Sequence, residues 1–499
     1  MIHSYILSAL LKPSCAHESR IAVYFLKLCN KIFIVSSRLF RNSSFLSTLA
    51  KRIPWKSIFL FLFIVSLAIA PESNFRSSST SLPEARSKAV NERQFGIPII
   101  SISNILLVLL ILTVVKDLGK SRTKFYFRQI DLLLLFFFLT VEALVIQSAF
   151  FLASITWFLK LTYGLFIYFI FSRIDLKKSN IRIILISFCA TLIVEGILST
   201  AQFLSGSILG LPIESVNRLS TEEFTYKSGA ISHFRSIGTF SHPNKLSAYL
   251  ALLLPIILVL KIRAKNLQQN FFALFLIVFG VLSTSFSLSR IGLTSLFLGL
   301  LITLFLVRKL MYSNSEKVLH VSKQLLVIIL LCMVVFFSTD LFSRRFLNLA
   351  WNGKGIEARL ELLSESFYYI RLQPLGIGPG AFPFYLLNYS DIDRSIFLDP
   401  FTSVHNFYFL IMSEIGIIGF FFIIFIIFEI SRIFFYKIKV VALEQQLIAI
   451  GLFSSLLTFF LSGILELRTF TDRVGFLFFL LLGLLVNLLE NHKTRERKL

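Results

Sequence analysis

Long apolar runs recur along almost the whole chain, and their length is the strongest constraint on its fold. Each covers about 17 to 25 residues, enough for a helix to cross a roughly 30 Å hydrocarbon layer. Hydrophobic residues make up 56% of the 499 and charged residues only 15%, a balance that excludes a soluble globular domain of this size. The runs predict an all-α polytopic membrane protein of about twelve transmembrane helices. They lie near residues 55–70, 97–115, 131–152, 155–172, 181–204, 246–262, 271–288, 291–307, 324–339, 415–434, 446–465 and 474–490.

The net charge of +23 would point to nucleic acid in a soluble chain. Here it is topological. With the amino terminus inside, essentially all of the excess falls in the inward segments, while the outward ones are close to neutral. This positive-inside asymmetry predicts an inner-membrane protein with both termini cytoplasmic. It also divides the chain into a basic arm (1–54), a single transmembrane domain (55–490) and a basic tail (491–499). The arm reads as an interfacial basic helix, although a transit peptide or a misplaced start would have the same composition. The four cysteines show no paired spacing that would suggest a disulfide or zinc site.

Two outward segments are long enough to have structure, 205–245 and 340–414. The second, between helices 9 and 10, is the larger. Residues 347–373 carry apolar side chains at helical spacing, and Pro374-Leu375-Gly376-Ile377-Gly378-Pro379-Gly380 must turn. Chemistry is expected on these loops, held by a rigid scaffold.

Only His233, His242 and His405 face outward in this topology. They lack an HExxH pairing or short ligand spacing, so no metal site is expected. The glycines at 376, 378 and 380 have the wrong spacing for a dinucleotide fingerprint, so no cofactor is expected either. Arg290, in a very short outward turn, is either an interfacial anchor or a forked donor to a lipid-attached phosphate. Arg235 can reach the same headgroup layer. Arg359 either completes a cationic cluster or lies on a solvated helix face. His405, at the border of loop and membrane helix, is either an ordinary interfacial histidine or a base and phosphate ligand. Within the spans, Glu142, Lys160 and Glu195 are costly charges, one carboxylate being free to pair with the lysine, and they keep a transporter reading open.

Three places resemble the O-antigen ligase family, which also includes O-antigen polymerases and related bacterial oligosaccharyltransferases. Arg235-x-x-Gly238-x-Phe240-x-x-Pro243-Asn244 leads into a helix, and Ser289-Arg290-x-Gly292 forms a turn. In the large loop Arg359 precedes the turn Pro374-Leu375-Gly376-Ile377-Gly378-Pro379-Gly380, followed by His405-Asn406 and Glu414-x-Gly416-x-x-Gly419. The likeness covers roughly residues 180–490. It implies transfer of a glycan from an undecaprenyl-diphosphate carrier to an acceptor lipid or glycan, without metal, in surface polysaccharide or lipopolysaccharide biosynthesis. It further implies His405 and Arg290 as catalytic residues and Arg235, Arg359, Asn406 and Glu414 as substrate-binding ones, Glu414 either orienting the acceptor or capping backbone. The rival reading is a flippase or exporter of lipid-linked saccharide.

Overall fold

The computed structural model describes residues 55–69, 102–120, 127–214, 224–228, 231–311, 321, 323–324, 354–390, 403–466 and 469–490. The arm, the tail and nearly all of the ninth expected span lie outside the described residues. Fourteen α-helices are described: α1 (Trp55–Ile69), α2 (Ile102–Lys120), α3 (Gln129–Gln147), α4 (Phe151–Arg173), α5 (Lys178–Ser205), α6 (Pro243–Arg263), α7 (Leu267–Phe286), α8 (Arg290–Leu310), α9 (Lys354–Leu372), α10 (Phe382–Tyr389), α11 (Phe407–Glu414), α12 (Gly416–Lys437), α13 (Leu443–Ser462) and α14 (Arg473–Glu490). Nine of them, among the described residues, are long and apolar enough to cross a membrane. The chain is therefore a helical multi-pass protein, and nine rather than twelve spans are seen in what is described.

The helices pack as a bundle around α6 and α14. In each of these two, 89% of the membrane-length stretch is buried, against 33% in α3, so α6 and α14 are central and α3 lies at the rim. Between helices in lipid, close approach of small residues replaces the hydrophobic drive available in water. Gly299 of α8 accordingly sits against Thr458 and Pro255, and Gly451 of α13 against the α6 backbone at Pro255 and Ile256. Ser455 of α13 donates to the Leu252 carbonyl of α6 at 2.6 Å.

Segment 205–245, expected to face outward, contains an element that the apolar pattern does not predict. Strands β1 (Thr225–Ser228) and β2 (Ile231–Phe234) form a short antiparallel hairpin, Thr225 opposite Phe234. In the larger loop the amphipathic stretch is helix α9, and residues 374–380 turn as expected. The span expected from residue 415 is a continuous helix, but a separate short helix precedes it. Helices α11 and α12 are separate, broken at Ile415 and Gly416, whose φ is +81°.

The break exists because the turn docks into it. Ile377 N–H donates to Ser413 O at 2.9 Å, Gly378 N–H to Glu414 O at 3.0 Å, and Ile417 N–H to Pro374 O at 2.9 Å. Backbone groups released by the interruption thus find partners, as buried polar backbone requires. A Cβ at Gly376 would come within 2.6 Å of Glu414 O, and one at Gly416 within 2.4 Å of the Leu375 backbone. Both positions therefore need glycine for space as well as for φ.

Candidate functional site

The site lies at the end of the bundle where the two large loops meet the starts of α6, α8 and α14. Its first wall is the segment leading into α6. Two side chains of α5 hold that segment in place. Gln202 accepts from the N–H groups of Ile237 and Gly238, at 3.0 and 2.8 Å. Glu195 accepts from Thr239 N–H at 3.0 Å and from its hydroxyl at 2.6 Å. Arg473, at the start of α14, donates to the same hydroxyl at 2.9 Å and lies 4.9 Å from the Phe240 ring centre. Glu195 is thus engaged with the loop. Glu142 and Lys160 are both exposed, on α3 and α4.

Helix α6 starts at His242, whose Nδ1 accepts from Asn244 N–H at 3.0 Å, with Pro243 in the first turn. An accepting Nδ1 must carry no proton. Burial, joined by the positive charge of Arg235, pushes the His242 imidazole down to about 3, only partly opposed by Glu466. It is a neutral cap.

Arg235 links this segment to the turn before α8. Its Nε donates to Ser287 O at 3.1 Å and its Nη2 to Asn244 Oδ1 at 2.9 Å. Within that turn Ser289 caps α8 by accepting from Gly292 N–H at 3.1 Å, while a Cβ on Gly292 would lie 2.2 Å from Ser247 Oγ of α6. The Ser-Arg-x-Gly pattern therefore has a mechanical basis: serine caps, glycine admits α6, and the arginine between them is turned outward. Arg290 is exposed, and its side chain forms no hydrogen bond or ion pair with another described residue.

The second wall is the large loop. Asn406 caps α11 by accepting from the N–H groups of Tyr408 and Phe409, at 3.0 and 3.1 Å, and donates to Ile464 O at 2.8 Å. Phe407 N–H donates to Gly463 O at 2.8 Å, and its ring meets those of Phe470 and Phe459 edge-on, with centres 5.3 and 5.9 Å apart. These contacts pin the start of α11 to the turn after α13.

The pinning brings His405 against Glu466. His405 Nδ1 lies 3.1 Å from Glu466 Oε1; Asn244 Nδ2 donates to Glu466 Oε2 at 3.2 Å, and Arg359 Nη2 is 3.8 Å from that same oxygen. The carboxylate is only 6% exposed, whereas the side chains of Arg359 and His405 are 41% and 30% exposed. One buried carboxylate thus gathers Arg359, His405 and, through Asn244, Arg235. Neither Glu466 nor Asn244 stood out in the sequence as a site residue. Glu466 follows a membrane run without a recognisable motif, and Asn244 had been only the last letter of one.

Glu414 is elsewhere in the loop and is buried; its Oε1 accepts from Phe382 N–H at 3.2 Å, at the start of α10. Burial pushes its carboxyl up to about 7, with the backbone hydrogen bonds from Gly380 and Phe382 opposing the shift. Its side chain therefore serves loop backbone, as does that of Asn406. His233 pairs with Tyr226 in the hairpin register. No group of three or more metal-ligating side chains occurs among the described residues.

Fold and site together define a multi-pass helical membrane protein with an open cationic cluster at one end of its bundle. Residues 272–424 match the family model described as O-antigen ligase, so this part of the chain is similar to that family. That segment includes Arg290, Arg359, His405, Asn406 and Glu414 and ends before Glu466. No curated protein matches the chain.

Proposed function

We propose that this protein is a membrane glycosyltransferase of the O-antigen ligase or polymerase type. It transfers a glycan from an undecaprenyl-diphosphate carrier to an acceptor hydroxyl at the outer face of the inner membrane, in cell-surface polysaccharide or lipopolysaccharide biosynthesis. The observation that carries the reading is the open cluster in which Arg359 and His405 share Glu466, with Arg235 and Arg290 on the adjoining turns.

A glycosyl diphosphate is already activated, and its cleavage mainly needs charge neutralised on the departing diphosphate. Guanidinium groups bind phosphate oxygens in a forked geometry and stay charged at any relevant pH. Arg290, Arg235 and Arg359 hold the diphosphate and stabilise the charge that develops on it. His405 takes the proton of the acceptor hydroxyl. The acceptor oxygen bonds to the anomeric carbon as the bond from that carbon to the phosphate oxygen breaks, the electron pair leaving on the diphosphate. In-line attack inverts the anomeric configuration. The imidazolium then returns its proton to solvent or to the released diphosphate.

The test is glycan transfer from a purified undecaprenyl-diphosphate donor in proteoliposomes, comparing the wild-type protein with His405→Ala and Arg290→Ala, without added metal or nucleotide. Transfer by the wild type and a loss of at least about 10²-fold in each variant is the expected result. Movement of donor between leaflets without transfer would replace this reading with a flippase. Accumulation of single repeat units in a deletion strain would mark a polymerase, and long chains retained on the carrier a ligase.

A further inference from the structure

We infer that Glu466 is a positioning residue for the reaction: it fixes the proton on His405 Nδ1 and, through Asn244, ties the base to the arginine wall of the site. The inference deepens the glycosyltransferase reading and rests on it.

An ionised carboxylate only accepts hydrogen bonds. With Glu466 Oε1 3.1 Å from His405 Nδ1, that ring nitrogen must carry the hydrogen, so Nε2 is left with the lone pair. A histidine held in this way presents one defined basic nitrogen, and the carboxylate behind it stabilises the imidazolium formed when the acceptor proton is taken. The second oxygen of Glu466 is occupied by Asn244 Nδ2 at 3.2 Å and approached by Arg359 Nη2 at 3.8 Å. Asn244 in turn accepts from Arg235 at 2.9 Å. A single carboxylate therefore orients the base and sets its distance from two of the three proposed diphosphate-binding arginines.

Three structural features separate this from a chance ion pair. Glu466 is buried while both partners are open, the arrangement expected when the carboxylate is the fixed part and its partners meet a ligand. Its backbone is held by an N–H bond to Ser462 O at 3.1 Å, and the turn that carries it is fastened to α11 by the Asn406 and Phe407 contacts. The partners come from three elements far apart in sequence: α9, the start of α11 and the start of α6. Glu466 from the turn after α13 and His242 from the entrance to α6 interact with His405; Arg359 from α9 approaches the same carboxylate, and Arg235 and Lys245 act on His242.

The experiment measures transfer by the full-length protein in proteoliposomes as a function of pH for the wild type, Glu466→Gln, Glu466→Asp, His405→Ala and the double variant His405→Ala/Glu466→Gln. Glu466→Gln should lower kcat by about 10²-fold to 10³-fold with donor KM changed by less than about threefold. Its pH profile should differ from that of the wild type, because the negative charge behind the ring is gone. Glu466→Asp should restore part of the rate, and this variant carries the test should Glu466→Gln fail to fold. In the double variant the Gln substitution should cost almost nothing further, since two groups acting as one unit are not additive. A wild-type kcat and pH profile in Glu466→Gln, or an equal fold-loss with and without His405, would overturn the proposal while leaving the glycosyltransferase reading intact. Full activity of His405→Ala would instead remove the base itself, and both assignments with it.

Discussion

The two ends of the bundle use the same chemistry to different effect. At the end opposite the site, Arg173 pairs with Asp131 at 2.7 Å, their side chains 7% and 5% exposed, and Arg128 pairs with Glu490 at 3.0 Å, at 6% and 11%. Tyr168 donates to the other oxygen of Asp131 at 2.5 Å, and Lys437 approaches Glu490 at 2.5 Å. Both members of each arginine pair are sealed. At the site end the carboxylate of Glu466 is just as sealed, but Arg359 and His405 are open. Helix α14 separates the two ends by about 27 Å, with Arg473 at its first residue and Glu490 at its last. A closed ion network locks helices together; a carboxylate with exposed partners, an arginine and a histidine, holds them ready for something else.

This contrast predicts that equivalent damage will have different symptoms. The largest effect should come from Arg173→Ala, which leaves Asp131 buried and short of its cation at a cost of about 3–5 kcal/mol. Thermal unfolding in detergent should show a marked loss of stability, while turnover per folded molecule stays at the wild-type value. Arg359→Ala should do the reverse. An exposed partner contributes no more than about 1 kcal/mol to stability, so the melting temperature should hardly move, but transfer should fall by about 10-fold to 100-fold. Loss of transfer in Arg173→Ala at full stability would break the distinction.

A smaller effect concerns pH. The Glu414 carboxyl is raised to about 7, so in the folded loop it keeps its proton where an unfolded one would already have lost it. The stability this contributes is complete below the ordinary carboxylate range and is lost as pH rises toward about 7. Hydrogen exchange at Ile377 and Gly378, whose amides bond to α11, should report docking that weakens across that window by up to about tenfold per pH unit, equivalent to about 1.4 kcal/mol. Glu414→Gln should flatten the response. A response unchanged in that variant would show that another group opens the loop.

Much of this architecture was legible in the chain because membrane helices advertise themselves one at a time. A run of apolar residues must be helical to satisfy its own backbone in lipid, whatever its neighbours are. The helices α5, α6, α8 and α13 therefore lie close to their expected positions, and the glycine-rich stretch at 374–380 turns as its composition requires. The short motifs were legible for the same local reason: Ser289 and Gly292 cap and clear the start of α8 within four residues of chain. The hairpin at residues 225–234 was not, being too short and too polar at its edges to stand out beside the apolar runs. The interruption between α11 and α12 was also hidden, since it depends on a turn some forty residues earlier in the chain.

By itself, then, the sequence determined that the chain is a helical multi-pass protein, roughly where most of the described membrane-length helices lie, and which loop residues resemble those of the O-antigen ligases. Tertiary structure alone decided which charges meet. Glu466 is 61 residues from His405 and 222 from Asn244. No periodicity or spacing links positions so far apart; they become neighbours only because α6, α11 and α13 pack with their loop ends together. Burial of the carboxylate and exposure of its partners follow from that packing, and these are what separate an open cationic site from the closed ion pairs at the other end.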